Sequence, residues 1–128
     1  MKRILFLILS ICIFALSACG EKADPIVLPE ASDITSIDVI VGQDRVTYTD
    51  ENWISEIICD LSAAESTNKA SIQDIPQVES YITISIQPVT GTSTLFIYEE
   101  NEKYYVEQPY QGIYEIDSQL YERLQENK

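Results

Sequence analysis

The chain has 128 residues, room for one domain and not for two. Eight Lys and Arg stand against 21 Asp and Glu, a formal net charge of −13, and there is no histidine. That balance argues against nucleic acid as a partner, because phosphate binding needs clustered cations. The missing imidazole removes the usual general base and the commonest metal ligand.

Met1-Lys2-Arg3 is a short basic start, residues 4–16 form an apolar run, and Leu16-Ser17-Ala18-Cys19 follows directly. A basic start, an apolar run and small residues before a cut site are the pattern of a secretory signal peptide. Residues 4–18 would make only about 22 Å of helix at 1.5 Å per residue, against a bilayer core about 30 Å thick. They are therefore read as a removable leader, 1–18, and not as a spanning helix.

Leu16-Ser17-Ala18-Cys19 resembles the lipobox of bacterial lipoproteins. The resemblance implies a diacylglyceryl group on the Cys19 thiol, cleavage before Cys19, and acylation of the new amino terminus by palmitate-type chains. The expected location is the extracytoplasmic face of the cell membrane, with the membrane as a partner through the lipid on Cys19. Cys12 then leaves with the leader, and Cys59 has no disulfide partner in its own chain.

Residues 19–33 carry Pro25, Pro29 and several acids without a period, and read as a lipidated tether. Fully extended, it reaches about 45 Å and holds the domain out from the bilayer. Ile26-Val27-Leu28 is apolar, but the flanking prolines argue against a strand there. The folded domain is assigned to 34–128.

Ile37, Val39 and Val41 alternate on a first strand, and Gly42-Gln43-Asp44 signals a turn into a second strand, 45–49. Asp50 is placed to cap a helix, with Glu51 in its first turn. Trp53, Ile54, Ile57, Ile58, Leu61 and Ala64 make one apolar stripe, and Cys59 falls on the opposite side. Residues 65–77 are polar and aperiodic and read as a long loop. Ile82, Ile84 and Ile86 alternate with Thr83, Ser85 and Gln87 on the clearest strand. Strands at 94–99, 103–107 and 113–116 follow, separated by turns at Glu100-Asn101-Glu102 and Gln108-Pro109-Tyr110-Gln111-Gly112. Asp117 caps a short last helix with Leu120, Tyr121 and Leu124 on one side. The predicted fold is α+β. It is an antiparallel β-meander of about five to six strands, with one helix packed on a face and a short C-terminal helix. The other face, with Thr, Ser, Gln and Tyr, is expected to be solvated.

Ile34-Thr35-Ser36-Ile37, Tyr48-Thr49-Asp50 and Trp53-Ile54 resemble a small uncharacterised domain of Gram-positive lipoproteins and peptidase-linked sensor ectodomains. Gly91-Thr92-Ser93-Thr94-Leu95-Phe96-Ile97-Tyr98, Lys103-Tyr104-Tyr105 and Gln108-Pro109-Tyr110-Gln111-Gly112-Ile113-Tyr114 extend the resemblance over about residues 34–124. It implies a location and an α+β fold, and no catalytic residues. The Asn101-Glu102 turn departs from the Asn-Gly expected of such a hairpin.

Five of the eight tyrosines fall in the last strands and helix. Tyr104, Tyr105, Tyr110 and Tyr114 are the candidate binding residues, since Tyr offers large contact area at low entropy cost. The competing reading is that Tyr simply packs well in half-buried strands. Glu99, Glu100 and Glu102 crowd one turn but lack calcium-loop spacing, so no metal and no cofactor are assigned. Cys59 and the serines have no imidazole to activate them. The sequence is therefore read as a non-catalytic binding or sensing module with a protein partner at the cell surface. The alternatives are an accessory lipoprotein of a membrane complex and, remotely, an enzyme of unrecognised type.

Overall fold

The structure, a computed structural model, describes residues 22–126. The leader and Cys19 lie outside the described residues. Seven strands form one antiparallel sheet: β1 (Ile34–Val41), β2 (Asp44–Tyr48), β3 (Glu65–Ser66), β4 (Ile82–Pro88), β5 (Ser93–Glu100), β6 (Lys103–Gln108) and β7 (Gly112–Ile116). Two helices accompany them, α1 (Glu51–Ser62) and α2 (Ser118–Glu126). The order across the sheet is β2-β1-β4-β5-β6-β7-β3. The fold is thus α+β, with β4 to β7 as the expected meander. The β1–β2 hairpin adds to its β4 side.

The alternation on β4 builds the core. Ile82, Ile84 and Ile86 are each at most 2% exposed. They pair with Val41, Val39 and Ile37 on β1, and Ile82 and Ile84 pair with Ile97 and Leu95 on β5. Ile54, Ile57, Ile58 and Leu61 of α1 and Leu120 and Leu124 of α2 join the same cluster. Asp50 Oδ1 accepts from Trp53 N–H at 2.8 Å, so α1 begins with the expected cap. Trp53 is half-buried and stacks on Tyr48, with ring centroids 3.7 Å apart. Cys59 is exposed, on the side of α1 away from this cluster.

Two expectations fail on the segments read as irregular. The second sheet face is not simply solvated. Residues 67–81 cross it, where Val78 and Tyr81 pack against Tyr98, Tyr105 and Ile113. Polar composition hid this, because the segment contributes only a few apolar side chains and no strand period. At its start, Glu65 and Ser66 pair with Glu115 and Tyr114 and form β3 where loop was expected. That edge strand is too short to show a period.

The second difference concerns residues 22–33, expected to be a free tether. They form a strap bound along one end of the sheet. Ala23 N–H donates to Thr67 O at 2.9 Å, and Tyr114 Oη donates to Asp24 O at 2.6 Å. Gln108 exchanges two hydrogen bonds with the Val27 backbone, at 2.8 and 2.6 Å. Ala23, Ile26, Leu28 and Ala31 pack on the main core. The prolines do exclude a strand, as expected, but side-chain amides and a phenol bind the extended backbone instead. A β-carbon on Gly112 would lie 2.5 Å from the Ala23 methyl and 3.0 Å from Tyr114 Oη, so only glycine admits the strap here.

The β5–β6 turn has Asn101 at φ 54° and Glu102 at φ 65°. This left-handed pair suits a right-twisted hairpin, but Glu102 holds it with a β-carbon in place. Glu102→Gly is expected to raise stability by about 0.5–1 kcal/mol in urea unfolding. Gly112→Ala is expected to lower it by about 1–3 kcal/mol and to make the chain before Asp33 sensitive to protease.

Candidate functional site

The four candidate tyrosines do not share a surface. Tyr104 and Tyr105 are neighbours on β6, so they point to opposite sheet faces. Tyr104 packs on the main core and lies 4.8 Å from the Tyr121 ring. Tyr105 is buried on the second face beside Tyr98, and Lys69 Nζ sits 4.4 Å from its ring centroid. Tyr114 is fully buried and holds the strap. Tyr110 alone of the four is exposed, at 66%. The expected Tyr-rich contact surface is therefore replaced by three packing residues and one surface residue. Period two in a strand and a core on both faces account for the difference.

Tyr110 stands in a tight turn. Gln111 N–H donates to Gln108 O at 3.0 Å, Pro109 takes the second position, and Tyr110 has φ 62° in the third. A left-handed tyrosine needs support. Its Oη donates to Asp74 Oδ1 at 2.7 Å, and its N–H donates to Ser71 Oγ at 3.3 Å.

Ser71 leads into a buried polar group under the crossing segment. Its hydroxyl donates to Glu107 Oε1 at 2.7 Å, and Tyr98 Oη donates to Glu107 Oε2 at 3.2 Å. Glu107 is 2% exposed and Ser71 is 6% exposed. Sequence reading missed this group, because its members lie on β5, β6 and a loop without a local pattern. A hydroxyl beside a carboxylate has the atoms of a nucleophile and a base. Here both are almost fully buried, and they fasten the segment to the sheet.

A cleft of about 680 Å³ opens between the C-terminal end of α1, β3, the end of β7 and the start of α2. Asp60, Glu65, Glu115, Asp117 and Arg123 supply its charge; Ala63, Ala64, Ile116 and Leu120 supply apolar wall. Asp117 also caps α2 by accepting from Leu120 N–H at 3.2 Å. Arg123 reaches across to Asp60 and Glu56 of α1. Glu115 faces Lys103 at 3.8 Å, with both side chains well exposed. Four carboxylates against the Arg123 guanidinium in the lining and the Lys103 ammonium beside it leave a net negative cleft suited to a cationic group. These residues come from four separated elements, so no spacing in the sequence announces them. Among the described residues, no group of three or more His, Cys, Asp or Glu is placed to hold a metal ion. No helix among them is long and apolar enough to cross a membrane.

Burial, then the Glu107 charge beside it, push the Tyr98 phenol above its ordinary value of 10.0. The folded state therefore holds this proton more tightly than the unfolded chain does. The stability from the neutral phenol is complete below about pH 10 and is lost as pH rises toward the folded-state value. Tyr98→Phe is expected to start about 1–3 kcal/mol less stable at neutral pH, since Glu107 loses a donor. It should then lose less stability than the wild type above about pH 10. Urea unfolding across the alkaline range checks both.

Comparison with known proteins agrees with this fold. No curated protein matches the chain. The structure is similar to the NMR structure of the protein from Ruminococcus gnavus, with a TM-score of 0.66 and 39% sequence identity, covering 74% of this chain and 97% of that one. The model of the DUF5301 family, described as a domain of unknown function (DUF5300), matches residues 22–115 and so takes in the strap, all seven strands but the last residue of β7, and α1. The chain belongs to this family of uncharacterised domains.

Proposed function

We propose that the protein is a lipid-anchored extracytoplasmic module, held at the cell membrane through Cys19, that binds a cationic group of a protein partner without doing chemistry on it. The anchor rests on the basic start, the apolar run and Leu16-Ser17-Ala18-Cys19. The observation that carries the binding role is the open cleft with Asp60, Glu65, Glu115 and Asp117 around it. Its charge has the same sign as the chain as a whole, so long-range attraction and local contact favour one kind of partner. The non-catalytic reading rests on the lack of any histidine to activate Cys59 or a serine.

Mass spectrometry of the membrane-extracted protein is expected to show a diacylglyceryl thioether on Cys19 and loss of residues 1–18; Cys19→Ala should block both. Crosslinking in the membrane is expected to capture a protein partner with the wild type and several-fold less of it with Glu65→Gln/Glu115→Gln. Raising the salt should weaken the same capture. An unchanged partner with the folded double variant would dismiss the cleft. Turnover of a wall or peptide substrate by the purified protein would overturn the non-catalytic role.

A further inference from the structure

Val27, Ile72, Ile75, Val89 and Tyr110 are the large hydrophobic side chains exposed among the described residues, at 52–76%. The sheet register brings them to one end of the domain. Ile34 pairs with Pro88, Ile86 with Ser93 and Gln108 with Gly112, so the start of β1 and the turns at 88–93 and 108–112 lie together. Val89 is in the first of these turns and Tyr110 is in the second. Val27 is held to the second turn through Gln108. Ile72 and Ile75 flank Asp74, which takes the Tyr110 hydroxyl, and Ile72 follows Ser71, which takes the Tyr110 N–H.

Acidic residues border this end, with Asp33 bonded through its backbone to Val89, Asp24 bonded through its backbone to Tyr114, and the Asp74 side chain bonded to Tyr110, but they lie outside the segments that carry Val27, Val89 and Tyr110. Residues 25–29, 88–93 and 108–112 contain no charged side chain. The β5–β6 turn at the other end of the sheet carries Glu99, Glu100 and Glu102. The chain also enters the fold at the end with the exposed apolar side chains, since Ala23 lies against Gly112 at the start of β7. Cys19 is three residues before Lys22 and lies within about 10 Å of it at full extension. A docked strap removes the long spacer that the sequence suggested.

We infer that this end of the sheet rests on the bilayer, with these five side chains in the lipid interface and the acidic turn pointing away. The inference rests on the lipid anchor proposed above. Lipid chains on Cys19 hold the entry point near the surface, and apolar side chains there add a second membrane signal of the kind that stabilises anchoring. The Glu-rich turn then lies beyond the roughly 8–10 Å over which an anionic surface repels it, and Asp33 and Asp74 stay at the border of the contact.

The test uses the matured, lipid-bearing protein with Cys59→Ser, reconstituted in phosphatidylcholine vesicles with a phosphatidylglycerol fraction. An environment-sensitive dye is placed at Val89→Cys, Tyr110→Cys or Glu102→Cys. Flotation with the vesicles reports the anchor separately. Dye at 89 and 110 is expected to shift to the blue. Spin-labelled phosphatidylcholine should quench it at least about threefold more strongly than dye at 102. Protein that floats but shows equal or no quenching at the two ends overturns the docking and leaves the anchor standing. A blue shift that grows with protein concentration and ignores the lipid quencher assigns the end to a second copy and overturns the proposal. Protein that does not float overturns the anchor and the docking together.

Discussion

One alternation, Ile82, Ile84 and Ile86 on the third strand in sheet order, determines where everything else goes. β4 lies between β1 and β5, and its three isoleucines are almost fully buried. Slipping the register by one residue would bury Thr83, Ser85 and Gln87 in their place, so the pairing is strongly specified. The neighbours follow suit: Ile37 and Val39 on one side, Leu95 and Ile97 on the other, all at most 3% exposed. The helices must then lie on that face, because only there does a partner await the stripe of α1. Truncating one such core side chain to alanine costs about 2–5 kcal/mol, a large share of the roughly 5–15 kcal/mol that holds a domain of this size folded.

The second face shows how a polar segment is ordered without a large apolar payload. Glu107 is a buried carboxylate whose named partners are hydroxyls and not a cation. Burying such a group without hydrogen bonds would be costly, so Ser71 and Tyr98 are tied to their places by the need to satisfy it. Tyr81 meets the Phe96 ring edge-on at 5.2 Å, and Lys69 covers Tyr105 while pairing with Glu100 at 3.4 Å. The Tyr110 turn hangs on the same hydroxyl of Ser71. The fold of the crossing segment and the position of the exposed tyrosine are thus one problem with one solution.

The strap links that core to the function proposed. Its backbone is extended and proline-bounded, and its polar groups are taken up by Gln108, Gln111 and Tyr114 side chains. A side-chain clasp of this kind fixes the direction in which the chain leaves the domain. It draws the uncharged turns and the chain entry to one end, and leaves the acidic cleft on the side formed by α1, β7 and α2. A module built so would present one end to lipid and another surface to a cationic partner.

Local patterns determined much by themselves. The period of two in β1 and β4, the stripe of α1 and the caps at Asp50 and Asp117 each act over a few residues, so they are legible in order along the chain. The exposed side of Cys59 follows from the same helical period. Tertiary structure alone decided which edge receives β3, that residues 67–81 cover a sheet face, and that residues 22–33 are clasped and not free. It also sank Tyr114, which composition had grouped with the other tyrosines of the last strands. The physical reason is the same in each case. These outcomes depend on hydrogen bonds and contacts between residues tens of positions apart, such as Tyr114 with Asp24 and Ser71 with Glu107. No window along the sequence contains both partners, and only the closed sheet brings them within reach.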